Sequence, residues 1–171
     1  MNKSIPSILN STILILIAFS CGSKVDTSHL HVGDIQFDPS SDNPDFKVCS
    51  QRIYQYYNFG KGNFSLEKKL IRKQFVDQFK KINNTEEESG YITIRFVVNC
   101  EGETDRFRVY EIDTKWKDTH FHPELTKQLL ALTKLLRGWK PGEFPDSKNK
   151  FAFYQYLTFK IRSGDLVDIL P

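Results

Sequence analysis

Gly90-Tyr91-Ile92-Thr93-Ile94-Arg95-Phe96-Val97-Val98-Asn99-Cys100-Glu101-Gly102 is the stretch on which the reading of the fold turns. Ile92, Ile94, Phe96 and Val98 alternate with Tyr91, Thr93 and Arg95. Successive side chains of a strand point to opposite faces, so this alternation predicts a half-buried strand with one apolar and one polar face. Asn99-Cys100-Glu101-Gly102 supplies turn chemistry, and residues 104–112 carry Phe107, Val109 and Tyr110 as a second strand. The two predict an antiparallel hairpin.

Before the hairpin, residues 65–82 set Leu66, Leu70, Ile71, Phe75, Val76 and Phe79 at helical spacing among Lys, Arg and Gln. One apolar stripe on such a segment predicts a helix facing a core, with Ser65 as cap and Glu67 at the positive end of its dipole. The Glu86-Glu87-Glu88 run that follows reads as a solvated connector. After the hairpin and an irregular stretch, Pro123-Glu124 opens a second helix with Leu125, Leu129, Leu132 and Leu136 on one face, stopped at Gly138. Residues 151–161 alternate again through Phe151, Phe153, Leu157, Phe159 and Ile161, and Ser163-Gly164-Asp165 turns the chain into a short apolar segment, residues 166–170. Helix, strand, strand, helix, strand and a last short strand predict an α+β two-layer sandwich. Its two helices pack on one face of a small three- to four-stranded antiparallel sheet.

Composition agrees with one core. The 171 residues are 39% hydrophobic and 26% charged, and 14 Phe, 7 Tyr and 2 Trp supply ample apolar bulk. A net charge of +3 is too small for a phosphate-binding surface, so nucleic acid is not an expected partner.

The first 20 residues, with Lys3 and then Ile13-Leu14-Ile15-Leu16-Ile17-Ala18-Phe19, read as a secretory signal too short to span a bilayer. Ala18-Phe19-Ser20-Cys21 resembles a loose bacterial lipobox, which makes Cys21 the acylated first residue. Several acyl chains, palmitate among them, then hold the protein to the membrane. Gly22 after the lipid-bearing residue suits the outer membrane by the enteric sorting pattern. Residues 21–47, with the turn-forming cluster Asp38-Pro39-Ser40-Ser41-Asp42-Asn43-Pro44, read as a lipid-anchored flexible tether of roughly 30 Å reach. The folded domain is expected over residues 48–171. Cys49 and Cys100 remain, an even pair in an exported chain, and they suggest one disulfide; two buried thiols are the other reading.

The hairpin residues 90–103, the segment Leu136-Arg137-Gly138-Trp139-Lys140-Pro141-Gly142 and the strand ending Tyr156-Leu157-Thr158-Phe159-Lys160-Ile161 together resemble the carboxy-terminal domain of TonB over roughly residues 65–161. In that family alternating apolar residues lead into a polar Gly turn, and a Trp followed by Pro-Gly precedes the last strand. TonB's amino-terminal transmembrane helix and long Pro-rich linker have no counterpart in the tether read here, so energy transduction is not carried over. The resemblance implies a mode of contact, in which an extended peptide of an envelope protein is added to a sheet edge. The edge so implied is Phe153, Tyr154, Gln155, Tyr156, Leu157, Thr158 and Phe159, for which residues 166–170 compete if they fold back. Trp139 is expected in the core.

Other chemistries fare less well. His120, His122 and Glu124 alternate as metal ligands do on an extended chain, but Pro123 and the helix start interrupt that geometry, as nothing extends His29-Leu30-His31 into a ligand set. No metal or cofactor is expected. No Gly-rich phosphate loop, nucleophile elbow or framed carboxylate pair is visible, so an enzyme is not expected and no catalytic residue is nominated. A non-enzymatic, lipid-anchored envelope protein that binds a protein partner is the leading expectation, with a structural or inhibitory lipoprotein binding a protein or envelope polymer without strand addition as the alternative.

Overall fold

The computed structural model describes residues 34–50, 52–55, 68–144 and 147–170. Along the chain these form β1 (Tyr54–Gln55), α1 (Lys68–Gln78), β2 (Gly90–Val98), β3 (Thr104–Asp113), α2 (Pro123–Leu135), β4 (Gly142–Glu143), β5 (Lys150–Phe151), β6 (Phe153–Arg162) and β7 (Asp165–Leu170). The class is α+β, with two helices and a mostly antiparallel sheet of five strands.

β2 lies between β3 and β6, antiparallel to both. On its far side β6 meets two short partners in succession: β1, parallel, at Phe153 and Tyr154, and β7, antiparallel, from Thr158 to Arg162. A minor ladder joins β4 to β5. The sheet therefore exceeds the three or four strands expected. β1 is two residues long, and a segment that short carries no periodicity from which to be read.

The apolar faces of β2 and β6 coincide because their register pairs Ile92 with Phe159, Ile94 with Leu157 and Val98 with Phe153. Onto that face pack Ile71 and Phe75 of α1 and Leu125, Leu129 and Leu132 of α2, joined by Leu136 and Trp139 just beyond it. Phe75 and Phe159 meet with ring centroids 4.8 Å apart, and Trp139 meets Phe96 edge-on at 5.3 Å. Full burial of side chains this size contributes about 1.5–3 kcal/mol each. α1 ends at Gln78, before the end of the predicted stripe, and Leu70 and Val76 stay exposed, while Ser65, Leu66 and Glu67 lie outside the described residues.

Local chemistry fixes the ends. α2 starts at Pro123 with Glu124 in its first turn, as expected, but its cap is His122, whose Nδ1 accepts from Glu124 N at 3.3 Å. Glu88, expected in a solvated run, accepts from His122 N at 2.7 Å and so ties the connector to the helix start. Ser163 and Gly164, with φ of 49° and 76°, form the two-residue turn that folds β7 back on β6; positive φ at both central positions matches the twist of a hairpin.

The expected tether is not one over its described part. Residues 34–50 run as a strap over the sheet face opposite the helices, where Ile35 packs on Val97, Ala152 and Tyr154, with Phe46, Val48 and Ile53 around them. Described residues of the folded unit thus include part of the span expected as tether, from Asp34 onward. The strap's apolar residues, Ile35, Phe37, Phe46 and Val48, are too scattered along the chain to show a period.

Candidate functional site

Cys21, the expected lipidation site, lies outside the described residues. Cys49 and Cys100 are joined as a disulfide, Cα–Cα 5.8 Å, which fastens the end of the strap to the β2–β3 turn. The sequence pointed to no position for the strap, and so it could not say what this bond would hold.

The segment implied as a docking edge needs correction. Residues 153–159 belong to β6, which has a strand on either side for most of its length. Phe153, Leu157 and Phe159 are core residues, and Gln155 is buried. Tyr154 is buried under the strap, its hydroxyl accepting from Ile35 N at 3.3 Å, and burial pushes its phenol above the ordinary value. Among the described residues, only positions 155–157 fall between the pairings with β1 and β7. That is about half the usual strand of 5–6 residues, too little to seat an added one. The physical reason is the tight Ser163-Gly164 turn, which returns residues 165–170 onto the nearest row of unpaired backbone groups. Hairpin closure is local and entropically cheap, so the chain's own tail outcompetes a peptide from solution.

β3 forms the opposite margin of the sheet. Its alternation is less clean than that of β2 because Arg106, at φ 57°, is an extra residue opposite Arg95–Val97 and makes a bulge. Asp105, Arg106, Arg108 and Glu111 line this strand, and charges of this kind discourage pairing with another chain. Part of the margin is also covered from within. Thr119 N donates to Glu111 O at 3.1 Å, and the strap's Asn43 N donates to the Asp105 carboxylate at 2.9 Å.

Arg108 anchors the strap. Its guanidinium holds Asp42 in a two-pronged pair, Nη1–Oδ1 2.7 Å and Nη2–Oδ2 2.8 Å, and donates to Gln36 O at 2.7 Å. The Asp42 side chain is 1% exposed. Arg108 holds its carboxyl down to about 2, against the opposing effect of burial.

What the strap leaves bare is the other half of the same face. Cross-strand rows run Thr158–Thr93–Tyr110 and Lys160–Tyr91–Ile112, with the hydroxyls of Thr93 and Thr158 2.9 Å apart. Trp116, from the loop after β3, stacks on Tyr91 with centroids 5.3 Å apart and planes 11° apart. Trp116 is 73% exposed and Tyr110 48%. Trp116 has φ 63°, a conformation few bulky residues adopt, and the loop imposes it. The Asp113 carboxylate accepts from Lys115 N at 2.7 Å and Lys117 N at 3.0 Å, while Asp113 O accepts from Trp116 N at 3.2 Å. The two backbone donors keep the Asp113 carboxyl below the ordinary value.

Beside Tyr91 lies a cavity of about 250 Å³ lined by Ser89, Gly90, Tyr91, Thr114, Lys160, Ile161 and Arg162. Its walls offer hydroxyls and two cations. The expectation from sequence missed this face, because it read Tyr91, Thr93 and Arg95 only as the polar side of a strand, and Trp116 stood in an irregular segment without a periodic place.

His120 and His122 do not come together in one site, and His29 and His31 lie outside the described residues. His122 caps α2, and the exposed His120 sits 3.4 Å from a Glu111 carboxylate oxygen. Among the described residues no group of three or more metal-ligating side chains comes together. Comparisons of the chain with protein-family models, curated sequences and solved structures found no match.

Proposed function

We propose that this chain is a non-enzymatic, lipid-anchored protein of the bacterial cell envelope, held through Cys21 at the outer membrane, that binds an envelope partner with the bare half of its sheet. One observation carries the reading: a stacked Tyr91–Trp116 pair and Tyr110 stand exposed on a rigid sheet whose other half is strapped shut. Sheets that bury one face leave the other polar; this one keeps large aromatic rings there instead. Tyr and Trp present an apolar body with a polar tip at small entropic cost, which suits them to partner surfaces. The motif order resembling TonB's carboxy-terminal domain supports an envelope binding role. Strand addition along β6 is not part of the proposal, because β1 and β7 already pair with that strand.

Two measurements test it. Replacing Cys21 by Ser is expected to move the full chain from the membrane to the soluble fraction, and a variant that stays with membranes overturns the anchor. The double variant Trp116→Ala, Tyr110→Ala alters exposed side chains, for which stability changes are usually within about 0.5 kcal/mol. Crosslinking in intact envelopes should lose the partner adduct in that variant at unchanged melting temperature. An adduct of undiminished yield removes the bare face from the proposal.

A further inference from the structure

The bare face also carries chemistry selective enough to name a class of ligand, an inference that rests on the binding reading above. The geometry points to an acidic saccharide: a sugar ring against the exposed outer face of the Trp116 indole, whose inner face stacks on Tyr91, with its anionic group in the neighbouring cavity that Tyr91, Lys160 and Arg162 line. Three features converge on this. First, Trp116 is held out by a loop whose backbone bonds converge on Asp113. Trp116 sits in the left-handed region at φ 63°, and such backbone strain gathers where a side chain must be presented at a fixed angle. The indole is thereby offered as a flat, preorganised surface, which suits the apolar C–H face of a pyranose ring.

Second, the cavity is lined by charge and hydroxyls. Lys160 is the cross-strand neighbour of Tyr91, and Arg162 lies two residues further along the same face of β6. Among the described residues neither forms an ion pair. Asp168, opposite Lys160 in register, is turned to Arg72 at 3.2 Å. Two uncommitted cations at one cavity call for an anion, and Arg suits the two oxygens of a carboxylate or phosphate. Ser89 and Thr114 add hydroxyls for the ligand's own.

Third, size and surroundings argue against other occupants. At about 250 Å³ the cavity falls below the roughly 300–1,000 Å³ of drug-sized sites and matches one ring or its substituent. Lys160 and Arg162 in its wall favour an anionic group over an apolar peptide side chain. A nucleic acid would find one stacked pair, without the basic stripe that tracks a phosphate backbone, on a chain of net charge +3.

Titration calorimetry on the detergent-solubilised full chain decides the matter, with trigalacturonate, a phosphorylated maltotriose, neutral maltotriose and a single-stranded hexanucleotide as probes. Expected is saturable binding of at least one acidic saccharide, at least tenfold tighter than neutral maltotriose. Trp116→Ala and Lys160→Ala should each weaken it at least fivefold with no change in melting temperature, and Lys160→Arg should restore it. The two acidic arms tell a carboxylate from a phosphate ligand. Binding of neither acidic sugar, equal binding of the neutral one, tighter binding of the hexanucleotide, or indifference to both substitutions overturns the inference. If the envelope crosslink depends on Trp116 and Tyr110 while no acidic sugar binds, the binding role stands and only the ligand class falls.

Discussion

Asp42 shows how one side chain can govern a surface. Its carboxylate is buried and forked onto Arg108, which holds the strap over Val97 and Tyr154. With its pKa held at about 2 against 3.8 for the free group, the pair contributes stability that is fully present above about pH 4 and is lost as the pH falls through 2. Asp42→Asn is expected to lower unfolding free energy by about 2 kcal/mol at pH 7, with the gap to the parent closing between pH 4 and pH 2; urea titrations across that range check it. Gly164 makes a complementary point. A Cβ there would stand 2.0 Å from the Thr85 hydroxyl and 2.8 Å from its carbonyl oxygen, at φ +76°. Thr85 is fully buried and donates to Ile82 O, so it has little room to yield. Gly164→Ala should cost at least about 1–2 kcal/mol, read by thermal melting.

Among the elements, β6 is the one whose status differs most between sequence and structure. Alternation identified it as a strand, and the resemblance to TonB's carboxy-terminal domain implied it as a docking edge. Its place between β2 and β7 changes what a proline there would do. Thr158 is paired on both sides, with Thr93 and Leu170, so Thr158→Pro should cost about 3 kcal/mol or more and abolish cooperative unfolding, instead of leaving a folded domain with a blocked edge. Near-UV circular dichroism of the variant checks this; a native spectrum would show that β6 is less central than its pairing implies. β7 is no loose tail either. Ile169 is buried in the main core, and Ile169→Ala should cost about 2–4 kcal/mol in denaturant melts.

At the scale of the molecule, the two faces of the sheet are closed by different means. Helices and a continuous apolar core cover one; on the other, a strap, an ion pair and a disulfide cover half. The Cys49–Cys100 bond closes a separation of 51 residues, and its loss should cost about 2–4 kcal/mol in the oxidised-state comparison. Cys49→Ser, Cys100→Ser should therefore melt earlier than the parent, and reductant should lower the parent's melting temperature while leaving the double variant's unchanged. Because the bare half of the face lies at the other end of β2, the proposed saccharide binding should survive in the double variant below its melting temperature.

The sequence by itself determined the two helices, the β2–β3 hairpin, β6 and the turn into β7, because each carries a repeating apolar pattern or a turn residue that acts within a few positions. The resemblance to TonB's carboxy-terminal domain implied that Trp139 would be core, and the even cysteine count left Cys49 and Cys100 able to pair. Only the tertiary structure decided that residues 34–50 pack as a strap, that β1 and β7 pair with β6, and that Trp116, Tyr91, Lys160 and Arg162 share one surface. Those outcomes depend on contacts between residues tens of positions apart, such as Asp42 with Arg108 and Ile35 with Tyr154, and a linear pattern records periodicity along the chain but not which distant surface a segment will meet.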